Sequence, residues 1–166
     1  MTDDGLLSRL KALVGREFTF TAPEEVGFAS IRQFALAVGD LNPLYMDHAL
    51  AGASPHGGIV APPTFICETS QYLPGAVDEE HGAINPASIP TGGVIRMGND
   101  YQFFRLVRPS DVVTAQWRVA ECFEREGKSG RMAFLVMEKT FRTQSGELLA
   151  TSRETCAYRL SGGGRP

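Results

Sequence analysis

Between Asp40 and His48 the chain sets out a carboxylate, a carboxamide, a phenol and an imidazole: Asp40, Asn42, Tyr45 and His48. Acid–base chemistry is built from such groups, but they are not interchangeable. An unperturbed histidine titrates close to neutral pH, whereas tyrosine keeps its proton to a pKa near 10 and serves better as a donor than as a base. Each residue also has a non-chemical use. Asp40 can cap the turn into Asn42-Pro43, because Asp and Asn side chains accept bonds from nearby backbone N–H groups. Tyr45 can be a packing residue with a hydrogen-bonded hydroxyl, and His48, beside Asp47, a solvent-exposed ring.

A second segment, Gly57-Gly58-Ile59-Val60-Ala61-Pro62-Pro63-Thr64-Phe65, matters for its backbone. Proline has no N–H, so Pro62 and Pro63 cannot polarise a carbonyl there, while Thr64 and Phe65 retain their donors. The other reactive residues form no pattern. His48, His56 and His81 lack metal-ligand spacing. Cys67, Cys122 and Cys156 contain no CxxC pair and read as buried small hydrophobes in a reducing compartment. Lys128 and Arg131, with Arg105 and Arg108, can steer a phosphorylated carrier or form a solvated face. Gly127-Lys128-Ser129-Gly130 lacks the first glycine of a nucleotide-binding loop and is read as a hairpin turn.

The elements that must hold these residues follow from periodicity. Leu6, Leu7, Leu10 and Val14 predict a helix over Gly5–Leu13, closed by Gly15, and Phe18 and Phe20 alternate in a strand over Glu17–Thr21. Ile31, Phe34, Ala35 and Val38 give one face of a second helix, capped by Ser30 and stopped by Gly39. A brief helix is expected over Asp47–Ala51, and Pro62 or Pro63 is placed to open a longer one through about Leu73. Asp100–Leu106, Val112–Ala120, Arg131–Gln144 and Glu147–Leu160 read as strands, the last two joined by a turn at Ser145-Gly146. Helix first and long strands afterwards predict an α+β domain with an antiparallel sheet packed around a helix. Residues 74–98 lack periodicity and are expected to be a lid, a partner-contacting loop or a disordered segment.

Composition narrows the possibilities. The chain has 166 residues, a length suited to one domain, with 16 Lys+Arg against 19 Asp+Glu and a net charge of −3. With no basic stripe there is no electrostatic footprint for nucleic acid. No apolar run approaches the ~18 residues of a membrane span, and two acids stand where a signal peptide would be basic. A cytoplasmic protein without membrane insertion is expected. Of the 18 glycines and 10 prolines, many fall in 52–63, 74–98 and the tail 162–166.

The run Phe34–Tyr45, followed by Gly57–Phe65, resembles the MaoC-like (R)-specific enoyl-thioester hydratase and 3-hydroxyacyl thioester dehydratase family, in particular its N-terminal-type, degenerate domain. Asn99–Asp111 and Glu124–Gly130 extend the likeness to about Val14–Tyr158. The resemblance implies a single hotdog fold over 1–160, in which a curved antiparallel sheet wraps a long central helix, with 161–166 a flexible tail. It implies no metal or redox cofactor. The family pattern is Asp-x-Asn-Pro-aliphatic-His: Asp40 and Asn42 occupy their positions, and Tyr45 stands where the histidine belongs. Active relatives read His-Gly before the central helix, where this chain has Ala61-Pro62-Pro63, so Ala61, Pro62, Thr64 and Phe65 are the substrate-binding positions implied.

Such degenerate domains help form an acyl tunnel while a second hotdog supplies Asp and His. The implied ligand is therefore an acyl-CoA or acyl-carrier-protein thioester, of fatty or sterol-side-chain type, and the implied assembly a homodimer or a heteromer with a catalytic MaoC-like subunit. Two alternatives stay open: a homodimeric hydratase using Asp40 with Tyr45 or His48, and a non-catalytic acyl-thioester binding module.

Overall fold

The computed structural model describes residues 3–70, 77–78, 82–83, 94–127 and 130–160. His81, Lys128, Ser129, most of the 74–98 segment and the 161–166 tail lie outside them. The described elements run α1 (Asp3–Ala12), β1 (Glu17–Thr21), α2 (Phe28–Ala37), a 3-10 turn (Pro43–Tyr45), α3 (His48–Ala53), a 3-10 helix (Pro63–Ser70), β2 (Val77–Asp78), β3 (Gly82–Ala83), β4 (Val94–Phe103), β5 (Val113–Gly127), β6 (Gly130–Thr143) and β7 (Leu148–Arg159). β2 pairs only with β3, and the other five strands form one antiparallel sheet in the order β1-β5-β6-β7-β4. The architecture is α+β, and the hotdog fold is the one its structural neighbours share.

Side-chain alternation decides which face of the sheet is covered. Val113, Ala115, Trp117 and Val119 of β5 are buried while Gln116 and Arg118 are exposed. Register carries this inner face through Phe141, Lys139 and Met137 of β6 to Ala150, Ser152 and Glu154 of β7. A bulge between Val119 and Glu121 turns Cys122 back toward Leu135, on the same face. Two apolar clusters result. α1 contributes Leu6, Leu7 and Leu10 to one, with Val119, Leu135 and Tyr158. α2 and the segments around Tyr45 and Phe65 contribute to the other, with Ala115, Trp117 and Phe141.

The helices depart from expectation in two places. Ser30 does not cap α2, whose N-cap is Gly27 with no side-chain bond; Ser30 lies inside the first turn. The element expected to be a long central helix is, over its described part, the 3-10 helix Pro63–Ser70. Thr64, Ile66, Cys67, Thr69 and Ser70 are weak helix formers, and Thr69 Oγ1 donates to the Ile66 carbonyl at 2.8 Å, an alternative to α-helical continuation. α2 ends as predicted: Gly39 adopts φ +73°, the left-handed conformation that glycine takes without strain.

Candidate active site

The first half of the site is a pair of nested turns at the end of α2. Asp40 N–H donates to the Ala35 carbonyl at 2.9 Å, fixing the carboxylate just beyond the helix. Asp40 Oδ1 accepts from Asn42 N–H at 3.3 Å, and Asn42 Oδ1 from Leu44 N–H at 3.1 Å. Asn42 thus caps the turn Pro43–Tyr45, with proline at the first position, where a missing N–H costs nothing. Asp40 and Asn42 are exposed, whereas Tyr45 is buried at the end of the turn.

Asp40 and Tyr45 are brought together. Burial, the negative charge of Asp40 and a hydrogen bond to its carboxylate all raise the Tyr45 hydroxyl above the ordinary tyrosine pKa. Each cause favours the neutral phenol. Tyr45 is therefore a neutral phenol at neutral pH, its one proton given to Asp40 and its oxygen able to accept from a water.

His48 is separate from this pair. It is the exposed first residue of α3, and its ring packs on Phe28 with centroids 4.7 Å apart. Its neighbour Asp47 caps α3, accepting from Ala49 and Leu50 N–H at 2.8 and 3.0 Å. Asp47 thereby spends one carboxylate oxygen on the helix N-terminus.

The second half is the segment Ile59–Ala61, buried and outside the regular elements. Val60 N–H donates to the Leu44 carbonyl at 3.3 Å, docking the segment beside the Asn42–Tyr45 turn. Ala61 N–H donates to the Val107 carbonyl at 2.8 Å. Tyr45, Ala61 and Phe65 then share one apolar cluster, and Phe65 meets Phe34 edge-on at 5.4 Å. Pro62 is buried; Pro63 and Thr64 face solvent. Phe65 N–H donates to the Pro62 carbonyl at 2.9 Å, so of the two donors that follow the prolines, Phe65 has already committed its own. Thr64 is left as the backbone donor at the mouth of the helix.

Several residues invisible as partners in the sequence turn out to hold this arrangement. Arg105 grips both oxygens of buried Asp111 at 2.9 Å and Glu147 at 2.7 Å, and Asp111 also accepts from Arg108 N–H at 2.7 Å. The Arg108 side chain donates to the His56 carbonyl at 2.9 Å. Arg105 and Arg108 are thus fasteners of the loop that receives Ala61. Arg131 pairs with Glu124 at 2.8 Å on the surface. Among the described residues no three His, Cys, Asp or Glu side chains converge as a metal site requires.

Residues 12–152 match the family described as FAS1-like, dehydratase domain region. A UPF0336 protein of Parafrankia is 38% identical over 152 residues, covering 87% of this chain and 89% of its own length. A probable enoyl-CoA hydratase alpha subunit of Thermomonospora curvata is 30% identical over 92% of this chain, which spans 51% of that relative. Among solved structures, a chain of the ChsH1–ChsH2 complex from Mycobacterium tuberculosis superposes with a TM-score of 0.76 at 22% identity, over 98% of this chain and 93% of its own.

Proposed function

The chain belongs to the FAS1-like dehydratase-region family, whose match spans 12–152, and from that premise we propose that it is a subunit of an enoyl-thioester hydratase or (3R)-hydroxyacyl thioester dehydratase. It binds the acyl thioester and relies on a second hotdog chain for the Asp/His pair that activates water. One observation carries this reading: where the family places its histidine, this chain has a phenol kept neutral by burial and by Asp40. A general base works best with a pKa near the operating pH, and Tyr45 has been moved away from it. Asp40, Asn42 and Tyr45 can still orient, with Thr64 N–H beside the thioester carbonyl and Ala61, Pro62 and Phe65 forming the wall.

Three observations support a partner. A relative is named as an alpha subunit, and a structural neighbour comes from a two-protein complex. Over the described residues the sheet also ends in β4, paired on one side to β7, with Ile95 and Met97 exposed by 47% and 57%. The test is hydration of crotonyl-CoA and longer trans-2-enoyl-CoAs by the pure chain, by a hotdog chain with an intact Asp-x-Asn-Pro-aliphatic-His motif, and by their mixture. Activity on long enoyl groups is expected from the mixture and not from this chain alone. Turnover by the pure chain, or a mixture no better than the partner, overturns the proposal.

A further inference from the structure

The inner face of the sheet is crossed by a polar belt. In register over four strands stand Trp117, Lys139, Ser152 and Tyr101, and beside them Val119, Met137, Glu154 and Asn99. Glu154 is 2% exposed, and its carboxylate receives Lys139 Nζ at 2.6 Å and Arg96 Nε at 3.0 Å. Lys139 Nζ also lies 5.0 Å from the centre of the Trp117 ring. Tyr101 Oη is 2.9 Å from Cys67 Sγ, which ties the belt to the helix that begins at the candidate carbonyl site. The belt lies along the border between the cluster containing Tyr45, Ala61 and Phe65 and the cluster built on α1.

Two hydrogen-bonding groups in the first row have no partner among the described residues: Trp117 Nε1 and Ser152 Oγ, both buried. Buried donors are rarely left unpaired in folded proteins, and each instance calls for an explanation. The indole N–H can only donate, so its missing partner must be an acceptor. Local charge agrees, because Lys139 and Arg96 face a single carboxylate, Glu154. A purely aliphatic chain would leave both groups unpaired and lay methylenes against an ion pair, the costly arrangement for each side.

We propose that this belt is a subsite for an acceptor oxygen, a hydroxyl or keto group, carried on the distal part of the acyl chain and bound by Trp117 Nε1 or Ser152 Oγ. The inference rests on the acyl-thioester reading above and narrows its substrate class to oxygen-bearing acyl groups. Distance sets where that oxygen lies. From Thr64 to Cys67 is about 6 Å along a 3-10 helix, and Tyr101 and Ser152 are one strand spacing, about 4.8 Å, apart. The oxygen is therefore several carbons removed from the thioester and distinct from the hydroxyl that hydration would create.

Trp117 is the chain's single tryptophan, so its emission reports on this site without any need for turnover. The pure full chain is titrated with CoA thioesters in matched pairs, ω-hydroxyacyl against parent acyl, from hexanoyl to dodecanoyl, by calorimetry and by fluorescence. At one chain length the hydroxylated member is expected to bind roughly tenfold more tightly, the yield of one well-placed hydrogen bond, and to shift the Trp117 emission. Trp117→Phe, read by calorimetry, and Ser152→Ala are expected to reduce that preference, and the double variant to bring it to about one. Equal affinities at every length overturn the subsite and leave the thioester reading standing. A preference that survives the double variant, or that arises without an emission change in the native chain, places the oxygen elsewhere and also overturns it. Failure of every pair to bind overturns both readings.

Discussion

Tyr45 shows how one side chain limits what a turn can do. The Asp40–Asn42–Pro43 geometry is a backbone device: two side-chain oxygens satisfy two successive N–H groups and present Asp40 at the helix end. Such a device works whatever residue follows, so it would hold an imidazole or a phenol alike. What differs between the two is proton transfer, to which a phenol is poorly matched near neutral pH. Because Tyr45 is raised above its ordinary pKa, it holds its proton on both sides of neutrality, and no step that needs it as a base becomes available on the alkaline side. Tyr45→Phe removes one hydrogen bond to an exposed carboxylate. In the mixture with a catalytic partner, hydration should fall by less than about tenfold, the worth of one such bond. The pH–rate profile should keep its shape between pH 6 and 9. A profile that loses an ionisation in the variant would show that Tyr45 takes part in proton transfer after all.

At the scale of elements, the loop between β4 and β5 does more than connect. Arg105, Asp111 and Glu147 lock it, and its Val107 carbonyl anchors Ala61. The Arg105 and Asp111 side chains are 20% and 10% exposed, so breaking the pair leaves the guanidinium, largely away from water, with only the more exposed Glu147 to balance it. Asp111→Ala leaves the guanidinium and Arg108 N–H without their shared acceptor and should cost about 3–5 kcal/mol in urea unfolding. The double replacement Arg105→Met with Asp111→Leu should recover a large part of that loss, since an apolar pair removes both charges together. A loss of under ~1 kcal/mol in Asp111→Ala would mean the pair is a surface contact. This loop also marks the limit of what the sequence reveals. Period-two alternation in Val113–Val119 and the Ser145-Gly146 turn gave β5, β6 and β7 because those signals are local. The Arg105 clasp depends on an acid six residues away and another beyond two strands, which no local period encodes. Glu154 was hidden for a different reason: β7 places Ser152 and Glu154 on the covered face and Arg153 on the other, so its alternation reads as polar on both sides.

At the scale of the molecule, the sheet has two edges over the described residues, β1 and β4, and they differ in length and in what they expose. β1 closes the β5 side over only five residues, while β4 runs for ten with a bulge between Arg96 and Gly98 and exposes Ile95, Met97 and Phe103. Natural edge strands are usually blunted by charge, by proline or by a cover, because unpaired N–H and C=O groups recruit other strands. Here Ile95 and Met97 bracket Arg96, whose guanidinium is drawn to Glu154, so the edge keeps apolar side chains where a protective lysine would stand. A partner hotdog joining at β4 would extend the sheet and cover both residues. Ile95→Lys combined with Met97→Lys installs the missing protection. Both positions are exposed, so the unfolding midpoint of the isolated chain should move little, while affinity for the catalytic partner, measured by titration of one purified chain into the other, should fall by more than about tenfold. An unchanged affinity with an intact fold would place the partner on another surface and leave β4 as an edge that the protein tolerates.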